Sequence, residues 1–201
     1  MKGAPLVLAP SRDLLVVTGD QDPEGIAIML GLGARAAATA RAIAAPVYRL
    51  EHGAWVAFRA PPTDPVLTAI AKWNTEAWVG LYADQKEPLQ AAVGDDVFVA
   101  TLTGYEDQAG RPFTLAVWTQ GLTTLLPRAD LVGIVRMEQH PGAEPTGSVV
   151  GFVRWDKLVA VLGPRLAPAG TTPERWRVSA VASDDDLRRL AVEAAPSALA
   201  P

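Results

Sequence analysis

The chain reads as an α+β protein: a mixed or antiparallel sheet with packed helices, in an arrangement compatible with two similar small halves. Three observations predict this. Short runs of branched apolar residues, such as Leu6-Val7-Leu8 and Leu14-Leu15-Val16-Val17, are separated by turn chemistry, as strands are. Apolar spacings of three and four are confined to a few windows, notably Leu67, Ile70, Asn74, Ala77, Trp78 and Leu81. No strand–helix–strand series recurs along the chain, which argues against a doubly wound parallel sheet.

The elements follow in order. Pro10-Ser11-Arg12-Asp13 supplies a turn between the first two runs. Asp22-Pro23-Glu24 then gives a helix start: a capping aspartate, a proline suited to the first helical position, and an acid at the positive end of the dipole. That helix is expected to run to about Ala45 and stop before Pro46. Val47 to Phe58 reads as a hairpin turning at Glu51-His52-Gly53. Ala60 to Pro65 is the clearest linker. Asp64-Pro65 repeats the cap-then-proline signal ahead of a helix, and a further short helix is expected over Pro88 to Ala92.

From Asp96 onward the pattern is β. Val97–Leu102, Pro112–Thr119, Leu131–Met137, Ser148–Arg154 and Arg175–Val181 are predicted strands. Trp155–Leu162 is a short helix stopped by Gly163-Pro164, and Ser183 to Asp186 opens the last helix with capping-box spacing. The resulting division is an N-terminal α+β half over 1–60, a linker with helices over 61–94, a C-terminal α+β half over 95–193, and a frayed tail over 194–201. Pro10-x-x-Asp13 and Pro127-x-x-Asp130 each precede a strand-like run, the feature that suggests a duplication.

Composition narrows the chemistry. The 201 residues contain no cysteine and two histidines, which removes disulfide scaffolds, thiolate metal sites and cysteine nucleophiles. A formal net charge of −4 is a poor footprint for nucleic acid. The longest apolar stretch, Gly25 to Ala34, is too short to span a bilayer, so no membrane insertion is expected. The opening residues hold no apolar run of leader length before Pro10, Arg12 and Asp13. A cytoplasmic location is the expectation, and the abundance of alanine, arginine, proline and glycine points to a bacterial source.

Gly31-Leu32-Gly33-Ala34-Arg35-Ala36 matches a GxGxxA dinucleotide fingerprint, with Glu51 about 20 residues on as the ribose acid. Its flanks oppose that reading. A helix start, not a strand, precedes the glycines, and a hairpin follows Glu51 where a crossover helix belongs. The other reading places Gly31 and Gly33 inside a buried helix, permitting close packing. His52 and His140 fall in turns with no serine–base pairing. Asp13 and Asp130 could form a carboxylate pair for an unrecognised hydrolase, but turn capping suits them better. Asp95-Asp96 and Asp184-Asp185-Asp186 match no cation loop. No metal and no cofactor is expected.

Six tryptophans are present. Trp and Arg dominate interface hot spots, so Trp118, Arg154, Trp155, Arg175 and Trp176 are the candidate partner-binding residues. Residues Ala4 to Gly19, followed by Asp22-Pro23-Glu24-Gly25, resemble the C-terminal portion of the uncharacterised YtpQ-like bacterial family. In that family a P-x-R-D-apolar segment precedes a helix and then a short hairpin, as over Tyr48 to Phe58. The resemblance covers residues 4–60 and implies no established reaction, substrate or cofactor. The functional expectation is therefore a non-enzymatic protein-binding domain, an accessory, regulatory or immunity-type factor with another protein as partner. Nucleotide binding through Gly31, Gly33 and Glu51 is the alternative.

Overall fold

The computed structural model describes residues 1–59, 64–138, 146–179, 181–190 and 192–193. His140, the linker residues 60–63 and the tail 194–201 lie outside the described residues. The fold is α+β, as its sequence predicts. It divides into two compact units, Met1–Leu81 with Gly110–Pro112, and Tyr82–Ala109 with Phe113–Pro201. The division falls inside a helix rather than at the proline-rich linker.

Unit 1 is built on one antiparallel sheet. Strands β1 (Pro5–Ser11) and β2 (Leu14–Gly19) form a hairpin, and β3 (Tyr48–Glu51) and β4 (Ala54–Ala57) form another. The hairpins join through β1 and β3, giving the order β2-β1-β3-β4. The second hairpin turns at His52 (φ 49°) and Gly53 (φ 83°), the left-handed pair that a two-residue hairpin loop requires. Its core gathers Leu6, Leu8, Ile26, Met29, Val47, Phe58 and Ile70.

Helix α1 (Pro23–Ala37) begins where the sequence predicts, with the Asp22 carboxylate accepting the Gly25 N–H at 3.2 Å. It stops eight residues before Ala45. The Thr39 hydroxyl donates to the Ala36 carbonyl at 2.7 Å, and the Ile43 N–H goes to the Pro10 carbonyl at 2.9 Å. The alanine-rich stretch thus finds its partners along the first hairpin, which competes successfully with helix propensity.

Helix α2 (Pro65–Val93) is continuous over 29 residues where two helices were expected. Pro88 removes one backbone donor without ending it. Gln85 and Gln90 on either side are anchored: Gln85 Nε2 donates to the Pro173 carbonyl at 3.0 Å, and Gln90 Oε1 accepts the Val99 N–H at 2.9 Å. In unit 1 the same helix supplies Asn74. Its Oδ1 accepts the Val47 N–H at 2.6 Å, and its Nδ2 donates to the Phe58 carbonyl at 2.8 Å and the Val47 carbonyl at 3.4 Å.

Unit 2 carries two four-stranded sheets. One has the order β10-β9-β7-β6, from β6 (Leu102–Glu106), β7 (Pro112–Thr119), β9 (Leu131–Glu138) and β10 (Thr146–Arg154). The other has the order β11-β12-β8-β5, from β5 (Phe98–Val99), β8 (Thr124–Pro127), β11 (Leu166–Pro168) and β12 (Arg175–Val178). The β7–β9 and β5–β8 pairs are parallel, so the sheets are mixed. Helices α3 (Trp155–Leu162) and α4 (Asp184–Leu190) complete the unit. Trp118, Leu126, Ile134, Leu158, Leu162 and Leu190 are its largest fully buried apolar side chains.

The two proline–aspartate strand openings lead to different pairings. After Pro10 the chain returns as a hairpin, β1 against β2. After Pro127 it passes from one sheet to the other, since β8 and β9 never pair. The Asp130 carboxylate reaches across to β7, 16 residues earlier, and not to its own turn as the sequence suggests: it accepts the Thr114 N–H at 2.8 Å and the Thr114 hydroxyl at 2.7 Å. Asp13 instead pairs with Arg41 at 2.9 Å on the surface.

Candidate functional site: an uncovered apolar sheet face

Side chains along a strand alternate between faces, and the register of unit 1 fixes which positions share one. Leu6 and Leu8 point into the core, so Pro5, Val7 and Ala9 of β1 point away from it. Val7 is paired with Val17 on one side and Tyr48 on the other. Tyr48 is in turn opposite Ala57, and Leu50 opposite Trp55. The outer face therefore presents Leu15 and Val17 from β2, the β1 row, Tyr48 and Leu50 from β3, and Trp55 and Ala57 from β4.

None of these nine side chains is a carboxylate, amine or guanidinium. A sheet with one solvated face ordinarily alternates apolar-in with polar-out. Here Leu15 is 66% exposed, Val17 52%, Trp55 50% and Leu50 36%. Burial holds the Tyr48 phenol above its ordinary range, in keeping with its half-covered place in the middle of the face. Contiguous exposed apolar patches on a sheet face are a feature of interaction sites.

Unit 2 has a weaker counterpart. Val117, Val135, Met137 and Val149 lie on the outer side of its β10-β9-β7-β6 sheet, with Val149 opposite Val135 and Thr119 on the same row. Thr119 interrupts the apolar surface, and Arg154, level with Leu131, adds a guanidinium.

The residues proposed from sequence are distributed otherwise. Trp118 and Arg175 are fully buried and Trp155 is 8% exposed, so these three are core groups and not partner contacts. Trp176 is half-buried, its ring edge-on to Trp155 with centroids 5.0 Å apart. Arg154 alone of the five is well exposed. The indole N–H of Trp118 makes no hydrogen bond among the described residues. Arg175 is tied to four neutral oxygens: Gln85 Oε1 at 2.6 Å and the carbonyls of Ala100 at 2.7 Å, Leu125 at 3.2 Å and Tyr82 at 3.1 Å. Its guanidinium also lies 4.9 Å over the Tyr82 ring. Burial pushes its pKa down to about 10, which still leaves it charged at neutral pH.

The dinucleotide reading is corrected by the placement of its glycines. Gly31 and Gly33 lie within α1, far from its N-terminus, where the backbone N–H groups are committed to the helix. A Cβ on Gly33 would come within 2.8 Å of Trp73 Cη2 and 2.9 Å of Leu8 Cδ2, so this glycine permits helix-on-core packing. Glu51 ends β3 and pairs with Arg49 at 2.8 Å. His52 occupies the hairpin turn. Among the described residues no group of three or more His, Asp or Glu is placed to hold a metal ion. No helix among them is long and apolar enough to cross a membrane.

One groove of about 430 Å³ is lined by Asp20, Arg49, Phe58, Asp64 and neighbours at the starts of α1 and α2. Arg49 is its only cation, and Glu51, Asp20 at 3.4 Å and the Phe58 ring at 5.2 Å engage it internally. Asp64 is occupied in capping α2 through the Val66 N–H at 2.9 Å. The groove's charges thus serve the fold.

Sequence reasoning missed Leu15, Val17, Leu50 and Trp55. The signal was present: Leu14-Leu15-Val16-Val17 and Ala54-Trp55-Val56-Ala57 are unbroken apolar runs, the pattern of strands covered on both faces. No protein-family model, no curated protein and no solved structure matches this chain.

Proposed function

We propose that this chain is a non-enzymatic protein-binding domain of the accessory, regulatory or immunity type, and that it engages its partner through the outer face of the β2-β1-β3-β4 sheet. The observation carrying this reading is that every outward position on four adjacent strands is uncharged while Leu15, Val17, Leu50 and Trp55 remain accessible. Covering such side chains is favourable by about 25 cal/mol per Å² of apolar surface, and tryptophan is enriched among interface hot spots. The likeness of residues 4–60 to the YtpQ-like family belongs to the same reading. The segment that carries it, Pro10-Ser11-Arg12-Asp13, spans the end of β1 and the turn into β2 at one end of this face.

The test is site-specific photo-cross-linking. A photoreactive residue replacing Trp55 is expected to capture a discrete protein adduct in cells, and Val17→Lys in the same chain is expected to abolish it. A photoreactive residue at the exposed Asp95, in unit 2, serves as control. Adducts at position 55 no stronger than at the control position would defeat the proposal.

A further inference from the structure

We infer that Val192 and Glu193 are an edge guard: they close the outer edge of β10 against strand addition by a second copy of the chain. This device lies wholly in unit 2 and acts independently of the unit 1 face. The sheet order β10-β9-β7-β6 leaves one long side of β10 without a partner strand. With nine residues, Thr146–Arg154, it is the longest strand among the described residues. Thr146 to Val153 carry no charge and no proline, and Val149, Val150, Phe152 and Val153 favour extended backbone. Val149 is 61% exposed. An open edge of this composition presents N–H and C=O groups that template pairing with another chain. The strand best matched to it is the same strand of another copy, since identical uncharged side chains stack without like charges meeting.

After α4 the chain comes back onto this edge. The Phe152 N–H donates to the Glu193 carbonyl at 2.9 Å, and the Glu193 N–H donates to the Phe152 carbonyl at 2.9 Å. Both backbone groups of Phe152 are therefore taken, as in one rung of an antiparallel ladder. Gly151 makes room for the approach. Its φ is 151°, and a Cβ there would collide with Val192 Cγ1 and come within 2.8 Å of the Glu193 carbonyl oxygen. A side chain at this position would push the segment off the strand. The segment is held from the other end as well: Leu190, the last residue of α4, is fully buried, and Arg165 grips Asp186 in the first turn of that helix. Two further features shorten the edge that remains. The register of β10 against β9 shifts between Val149 and Gly151, a bulge that bends the strand. Glu193 is exposed, so its carboxylate lies beside the edge, where a second copy would bring its like. An incoming strand thus meets a bend near Val150 and a blocked rung at Phe152.

The experiment uses the full chain. Glu193→Pro removes the N–H that donates to the Phe152 carbonyl, whereas Glu193→Asp keeps both that N–H and the charge. Amide exchange at Phe152 is expected to quicken by about tenfold in the proline variant and to stay at the wild-type rate in the aspartate variant. Light scattering over a concentration series is expected to show the mean mass of the proline variant climbing above that of wild type, while the aspartate variant tracks wild type. Adding Val149→Lys to Glu193→Pro is expected to bring the mass back to the wild-type value, because the lysine charges the edge that would pair. Gly151→Ala reaches the same contact from the β10 side and is expected to give the same faster exchange and the same association. Should the proline variant fail to fold, Gly151→Ala decides alone. Unchanged exchange at Phe152 in these variants overturns the inference. So does faster exchange with a mass that matches wild type throughout the series. Association that survives Val149→Lys overturns it too, since the copies would then be meeting elsewhere than at β10.

Discussion

Each unit pins its chain with one deeply buried polar side chain, but the two use opposite chemistry. Unit 1 uses Asn74, a neutral amide that both accepts and donates, and so closes the Val47–Phe58 backbone with three hydrogen bonds. Unit 2 uses Arg175, a cation that can only donate, and surrounds it with oxygens from α2, β8 and the Ala100 backbone. An amide buries cheaply and holds a local loop. A guanidinium is costly to desolvate, so it is retained where one group must tie several distant segments at once. The difference teaches that unit 1 is organised around a local hairpin, whereas unit 2 is organised around long-range convergence on one residue.

The largest expected effect comes from breaking the second device. Arg175→Met keeps much of the volume and removes all donors, leaving Gln85 Oε1 and the carbonyls of Ala100, Leu125 and Tyr82 without this partner. We expect a loss of about 3–5 kcal/mol, read as a lowered urea midpoint, with accelerated amide exchange in β8 and β12. Asn74→Ala should cost less, about 2–3 kcal/mol, since only the Val47 and Phe58 backbone groups are orphaned. Its exchange signature should be confined to residues 47–58. If both variants loosened the same amides equally, the contrast between a local and a convergent pin would be wrong.

How much of this was legible in sequence follows the same contrast. The hairpin at His52-Gly53, the Asp22 cap and the fold class could be read because turn residues and strand runs are local signals. Arg175 could be seen only as an arginine in an alternating strand. Its burial depends on Gln85, Ala100 and Tyr82, residues 75 to 93 positions away. Trp118 misled for the same reason, since an indole on a strand looks identical whether it faces core or partner. The apolar outer face escapes the sequence because an unbroken run such as Leu14-Leu15-Val16-Val17 does not say which side the chain itself covers. The end of α1 was missed because Ile43 and Thr39 find partners that helix propensity does not register.

The glycine pair offers a smaller and more discriminating test within unit 1. Gly33→Ala gains the helical preference of alanine but forces a methyl against the Trp73 ring. That ring cannot easily yield, because its Nε1 donates to the Ala45 carbonyl at 2.9 Å. A net loss of about 1–2 kcal/mol is expected. Gly31→Ala meets nothing within 4 Å and should gain about 0.5–1 kcal/mol. Opposite signs in thermal unfolding would confirm packing as the reason for the second glycine. Equal gains would remove it.

The smallest effect concerns the ion pair that fastens α4 in unit 2. Arg165 holds Asp186 through two hydrogen bonds, at 2.9 and 2.7 Å, and Ser183 adds its N–H at 3.0 Å and its hydroxyl at 2.9 Å. Together they keep the carboxyl well below the usual carboxylate range, the Arg165 bonds contributing most. A carboxylate depressed in the folded state lends stability that is fully present above its unfolded value, about 4, and is lost as pH falls below it. The Arg165 side chain is 40% exposed, so solvent screens the pair and its net effect at neutral pH is modest. Asp186→Asn should therefore lower stability modestly at pH 7 and, to the same extent, flatten its decline below about pH 4. Urea titrations of wild type and variant across the acid range, followed by the exchange of α4 amides, decide the matter. Parallel acid slopes in the two proteins would mean that Asp186 is not the group fastening α4.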